Sequence, residues 1–120
     1  GVECQLPVAR DMSIMVGGYR TCVAGLMALL DAPASAFSDD RVVNLPNLTT
    51  SVDAMISTTQ TIAARRGITL GPITDTPDET VRAIVGSWPT GMDASRALAL
   101  GCSADVSLDA IIETFIDDYV

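Results

Sequence analysis

The stretch "GSWPTGMDASRALALG", residues 86–101, decides how the chain is read. It holds the single tryptophan, Trp88, then a Pro-Thr-Gly break, then Asp93 ahead of a short apolar run that stops at Gly101. Aspartate is a strong N-cap, and glycine suits the left-handed residue that ends a helix. The spacing predicts a short helix started by Asp93 and ended by Gly101. Pro89 and Gly91 separate it from the helix before. Trp88 closes the apolar face of that earlier helix and reads as a core plug. Arg96 reads as a solvated or ion-paired helix residue. A direct ligand role is the sharper alternative for either.

Downstream, Ser107 caps a last helix over 106–120, with Leu108, Ile111, Ile112, Phe115, Ile116 and Tyr119 on one stripe. Upstream, Thr76 and Glu79 form a T-x-x-E capping box with Pro77 at the first helical position. The helix that follows turns Val81, Ile84, Val85 and Trp88 inward. "ITLGPITDT" (68–76) is a strand interrupted at Gly71-Pro72. Before it, Thr49, Thr50 and Ser51 offer hydroxyl caps for a helix carrying Val52, Met55, Ile56, Thr59, Ile62 and Ala63 on one face. That helix ends in Arg65, Arg66 and Gly67, which suit a helix C-terminus.

"VECQLPV" (2–8) alternates as a strand, and "MSIMV" (12–16) is a second, short one. Gly17-Gly18 opens a helix to about Leu30, with Cys22, Val23, Leu26, Leu29 and Leu30 as its stripe. "DAPASAFSDD" (31–40) is a loop, and "RVVNLP" (41–46) a compact strand with a β-branched pair. The order β-β-α-β-α-β-α-α-α, about five helices against a small sheet, places the chain in the α/β class, with α+β character in isolation. So few short strands cannot close a sheet covered on both faces, so part of the apolar surface is expected to face something outside the chain.

The 120 residues suit one domain, and 48% apolar content with 18% charge fits a globular protein. Apolar runs break well short of the ~18 residues a membrane span needs. The seven basic residues are all arginine, and there is no lysine or histidine. No Ser-His-Asp or Cys-His set can be built, nor a Schiff-base lysine, nor a Tyr/Lys proton-transfer pair. Histidine metal ligation is out. A net charge of −8 argues against nucleic acid. Cys4, Cys22 and Cys102 have no CxxC spacing and read as buried small hydrophobes in a reducing, cytoplasmic setting. Asp39-Asp40 and Asp117-Asp118 read as solvated, without a third carboxylate at metal-site spacing. The opening "GVECQLPV", strand-like and without an initiator methionine or signal peptide, is expected for a piece of a longer protein.

Three segments, in order and spacing, carry a resemblance. "RVVNLPNLTTSVDAMISTTQTIA" resembles the strand-Asn-loop-helix element in the C-terminal part of extended short-chain dehydrogenases/reductases, the NAD-dependent epimerase/dehydratase superfamily. "DASRALALGCSADVSLDAIIETFIDDY" resembles that family's terminal element. "IVGSWPTGMDASRALALG" is similar to its sugar-acid, D-erythronate dehydrogenase-like branch. The resemblance implies that residues 1–120 are a C-terminal substrate-binding lobe, and that an NAD(P)-binding Rossmann domain with the Gly-rich loop and the Ser/Tyr/Lys set lies N-terminal to residue 1. It implies a whole protein that oxidises a CH–OH group of a small hydroxy acid. No G-x-G-x-x-G occurs here, and Tyr19 and Tyr119 have no lysine partner, so no catalytic or cofactor residue is assigned and none of these residues is expected to bind NAD(P) or a metal.

The local candidates for substrate binding are Gly17, Gly18, Arg20 and Asn44. Two glycines at a strand-to-helix junction let amide N–H groups point at an anion, and Arg20 in the first turn could grip a carboxylate. The plain alternative is a flexible cap with a solvent-facing arginine. Asn44 would sit at the C-terminal end of a parallel strand, the ligand side of an open α/β sheet; a turn-forming asparagine is the plain alternative. Two further readings stay open for the whole: a nucleotide-sugar epimerase or dehydratase portion, and a non-enzymatic oligomerisation module. A homo-oligomer also stays open as a partner.

Overall fold

The computed structural model describes residues 1–37 and 39–120. Ser38, in the loop expected over 31–40, lies outside the described residues. The elements are β1 (Cys4–Leu6), β2 (Ser13–Val16), α1 (Tyr19–Asp31), a 3-10 turn (Ala34–Ala36), β3 (Leu48–Ser51), α2 (Val52–Arg66), β4 (Ile73–Asp75), α3 (Glu79–Val85), α4 (Ser95–Ala99) and α5 (Leu108–Tyr119). Their order is the expected one. The strands form two two-stranded sheets, β1 with β4 and β2 with β3.

The chain divides into two compact units, Gly1–Ile14 with Thr49–Thr90, and Met15–Leu48 with Gly91–Val120. In the first, β1 and β4 run parallel, with Cys4 opposite Ile73 and Leu6 opposite Asp75. The Cys4 amide donates to the Pro72 carbonyl at 2.9 Å and the Thr76 amide to that of Leu6 at 2.8 Å. Proline at the strand entry forfeits only a donor and still accepts. On α2, Val52, Ile62 and Ala63 are buried and Met55, Ile56 and Thr59 half-buried, as the spacing requires. Ser51 Oγ accepts from the Ala54 amide at 3.1 Å, and Gly67 closes the helix at φ 69°.

The cap of α3 is Asp78, not Thr76: its carboxylate accepts from the amides of Thr80 and Val81 at 2.8 and 3.1 Å. The continuing strand pair explains the shift. The amides of Thr76 and Asp78 are both spent on β1-side carbonyls, Leu6 and Pro7, which holds the backbone extended through Asp78. The expected apolar face of α3 is not covered either. Val81 and Val85 are half-buried, and Ile84 and Trp88 are exposed, so Trp88 is no core plug.

In the second unit the buried side chains are Ala97 and Cys102. α4 has five residues; Asp93 Oδ1 accepts from the Ser95 amide at 2.9 Å, and Gly101 ends the turn at φ 90°. Ser107 caps α5, accepting from the Ala110 amide at 3.1 Å. Two expectations fail here. Residues 41–47 form no strand; the strand lies later, at Leu48–Ser51, because a β-branched run becomes a strand only where a ladder partner exists. The packing face of α1 is also not its leucine stripe. Gly25 is the buried residue and Leu29 is half-buried, while Cys22, Val23, Leu26 and Leu30 are exposed. A Cβ on Gly25 would meet Leu45 Cδ2 at 2.9 Å, so the close approach selects glycine there. Of the cysteines only Cys102 is buried; Cys4 and Cys22 are exposed.

Candidate functional site

Gly17, Gly18 and Arg20 do come together where β2 passes into α1. Gly18 is the N-cap, in extended backbone, with no side chain to satisfy the first turn. The missing acceptor arrives from far along the chain. Asp105, in the loop before α5, takes the Gly18 amide on Oδ2 at 2.7 Å and the Thr21 hydroxyl on Oδ1 at 2.5 Å. The positive end of α1 therefore already holds a carboxylate, the kind of group that the partial charge there favours. A Cβ on Gly18 would meet Asp105 Oδ1 at 2.7 Å, so the second glycine is what lets that carboxylate in.

Arg20 is likewise engaged. Its Nε donates to Asp118 Oδ2 at 2.9 Å, and Nη2 donates to Oδ1 of the same carboxylate, giving a two-pronged contact. Tyr19 Oη donates to Asp118 Oδ2 as well. The Tyr19 and Tyr119 rings lie 5.6 Å apart, and Phe115 and Tyr119 5.1 Å apart. The first turn of α1 and the last turn of α5 thus share one carboxylate and an aromatic cluster. The Arg20 side chain stays 61% exposed, so its outer edge is open to a ligand.

Asn44 is not at a strand end. It is exposed in the irregular segment 41–47, and its Nδ2 reaches the Asp93 carbonyl at 3.5 Å. Arg96 holds the same segment. Its Nη1 donates to the Val42 carbonyl at 3.0 Å and to Asp40 Oδ2 at 3.3 Å, and Nη2 donates to the Asp40 carbonyl. The ion-paired reading of Arg96 is the observed one; Asp40 and Asp118 are both partners in ion pairs, Asp40 while still 67% exposed and Asp118 26% exposed. Asp93 has its carboxyl pulled below its ordinary range, first by the Ser95 amide and then by the Ser95 side chain.

The first unit offers different surfaces. An apolar groove of about 410 Å³ runs along β1, β4 and α2, with Leu6, Val52, Met55, Ile56 and Ile73 among its walls. A second recess of about 390 Å³ includes Arg10, Asp75 and Arg82. There Arg10 Nε donates to Asp75 Oδ1 and Oδ2 at 3.0 and 3.2 Å, and Arg82 Nη1 donates to Glu79 Oε1 at 2.6 Å. Among the described residues no group of His, Cys, Asp or Glu is arranged to hold a metal ion, and no helix is long and apolar enough to cross a membrane.

Asp105, Asp118 and Thr21 were invisible in the sequence as parts of this site. Asp105 and Gly18 are 87 positions apart, and no local pattern links them.

No known protein-family profile matches the chain. Over 118 residues it is 32% identical to a D-erythronate dehydrogenase of Cupriavidus necator, and over 117 residues 28% identical to one of Haemophilus influenzae, in each case across 98% of this chain. The chain spans 36% of the length of each of these relatives. Among solved structures, a nucleoside-diphosphate-sugar epimerase from Agrobacterium tumefaciens matches with a TM-score of 0.85 and 26% identity, over 99% of this chain and 34% of its own. An L-threonine dehydrogenase from Cupriavidus necator matches with a TM-score of 0.82 over all of this chain and 41% of its own; at 19% identity that likeness concerns the fold alone. In sequence and in fold the chain is similar to a C-terminal portion of Rossmann-type proteins of the short-chain dehydrogenase/reductase and epimerase kind.

Proposed function

We propose that this chain is the substrate-binding portion of an NAD(P)-dependent oxidoreductase acting on a CH–OH group of a small sugar acid of the D-erythronate kind. The observation that carries the reading is the match, over 98% of this chain, with part of two D-erythronate dehydrogenases. In this reading a nucleotide-binding domain N-terminal to these residues supplies the cofactor and the proton-transfer groups. The residues here do not fit that role: without lysine and without a G-x-G-x-x-G turn they offer neither that pyrophosphate cradle nor a Tyr/Lys pair. Their part is shape and anion recognition. Arg20 forms the anion grip, exchanging Asp118 for the substrate carboxylate; the Gly17-Gly18 junction, its Gly18 amide held by Asp105, sets the position of that first turn, and Asn44 offers its amide to a hydroxyl. The setting is the cytoplasm, where reduced thiols suit exposed Cys4 and Cys22.

Steady-state assays of the full-length protein with NAD or NADP and a panel of four-carbon hydroxy acids test the reading, with cofactor reduction as the signal. Reduction with the hydroxy acids supports it. Turnover confined to nucleotide sugars would instead favour an epimerase, the alternative that the Agrobacterium tumefaciens structure supports.

A further inference from the structure

β1 and β4 run parallel, and in an open α/β sheet ligands bind beyond the carboxyl ends of such strands. The recess of about 390 Å³ lies at that end. Val8, Ala9 and Arg10 follow β1; Asp75 is the last residue of β4, and Pro77 and Arg82 come after it. Chain direction therefore brings two guanidiniums and a carboxylate to the place where a parallel pair holds its ligands. None of these residues is among the candidates Gly17, Gly18, Arg20 and Asn44.

Two arginines beside a cavity suit a phosphate, because a guanidinium edge matches two phosphate oxygens. Here that edge is taken. Arg10 Nε donates to both Asp75 oxygens at 3.0 and 3.2 Å and Nη2 donates to Oδ2 at 3.1 Å, while Asp53 Oδ1 stands 3.9 Å from Nη1. Arg82 is paired with Glu79. A phosphate entering the recess has to displace Asp75 from Arg10 and then lie beside the carboxylate it displaced. Like charges at that range repel, the more so as water is excluded. A hydroxyl displaces nothing. A carboxylate has about four lone-pair sites, and Asp75, 56% exposed, still turns part of its oxygens outward to accept a hydroxyl proton.

We propose that Asp75 is a specificity-determining residue. It withholds Arg10 from phosphate and offers its own lone pairs to hydroxyls. The recess thus takes the hydroxyl-bearing end of an unphosphorylated acid and rejects the phosphate ester of that acid. The proposal rests on the reading above, that the substrate is a small hydroxy acid.

The full-length protein, assayed with a four-carbon hydroxy acid and with its terminal phosphate monoester, tests the assignment. kcat/KM is expected to favour the free acid by about 100-fold or more. Asp75→Asn keeps the shape and removes the charge; it is expected to raise KM for the acid about threefold and to narrow the preference about tenfold or more. Asp75→Glu keeps the charge and is expected to keep the preference. Should the asparagine variant fail to fold, Asp75→Ser reads the same change. Calorimetric titration with inorganic pyrophosphate needs no turnover, and affinity is expected to rise about tenfold or more in Asp75→Asn. An unsubstituted protein that uses ester and acid equally overturns the proposal. So does an Asp75→Asn protein with preference and pyrophosphate affinity both unchanged. An unsubstituted protein active on no hydroxy acid loses the reading above alone if Asp75→Asn still gains pyrophosphate affinity, and loses both if it does not.

Discussion

Arg20 and Asp118 face each other between the first turn of α1 and the last turn of α5, joined by two parallel N–H donations from one guanidinium to one carboxylate. The arginine is largely exposed and the aspartate only partly so. An exposed pair of this kind contributes about 0.2–1 kcal/mol to stability. Its geometry is also that of a substrate carboxylate gripped by arginine. The two roles separate on substitution. Arg20→Gln is expected to move the urea midpoint by less than the equivalent of about 1 kcal/mol. In the full-length protein it is expected to raise KM for the hydroxy acid by about tenfold or more, with kcat nearly kept. An unchanged KM in that assay would remove Arg20 from the substrate site.

Asp105 should matter more to folding than Arg20. It satisfies the Gly18 amide and the Thr21 hydroxyl in a part-buried setting. Asp105→Ala leaves both donors without that acceptor, at a cost of about 1–3 kcal/mol. Chemical denaturation should show a lower midpoint with an unchanged slope. Asp105→Asn, which keeps an acceptor oxygen, should recover part of the loss.

Asp93 gives the pH dependence its direction. Its folded-state pKa lies below the ordinary value of 3.8, chiefly through the Ser95 amide. The unfolded chain therefore takes up the proton at higher pH than the folded chain does. The stabilisation is complete above the ordinary value and fades as pH falls through the depressed one. Carbon-detected NMR titration should place the Asp93 midpoint under 3.8 in the native protein, and Ser95→Pro, which deletes the amide donor, should raise it.

Two glycines should respond to alanine for different reasons. At Gly67 a Cβ meets nothing within 4 Å, but φ is +69°. Gly67→Ala should cost about 1 kcal/mol from backbone conformation alone, and Gly67→Asn less. At Gly25 the helical backbone accepts alanine and the obstacle is Leu45. Gly25→Ala should cost about 1–3 kcal/mol, and part of that should return with Leu45→Ala in the same chain. Thermal melts of the single and double variants measure the coupling.

The chain's own residues set the element order, the caps at Ser51, Ser107 and Gly67, the end of α4 at Gly101 and the inward face of α2. Each depends on backbone chemistry or on a spacing within a few residues. Capping by Asp78 instead of Thr76 was decided by the parallel pairing of β1 with β4, which spends the Thr76 amide elsewhere. Tertiary structure alone decided that Asp105 fills the N-terminus of α1, that Asp118 meets Arg20, and that Gly25 rather than the leucines faces inward. These contacts join positions far apart in the chain, and nothing local encodes them. Residues 41–46 show the same division: alternation and β-branching are written in the sequence, but a strand exists only where another strand supplies its hydrogen bonds.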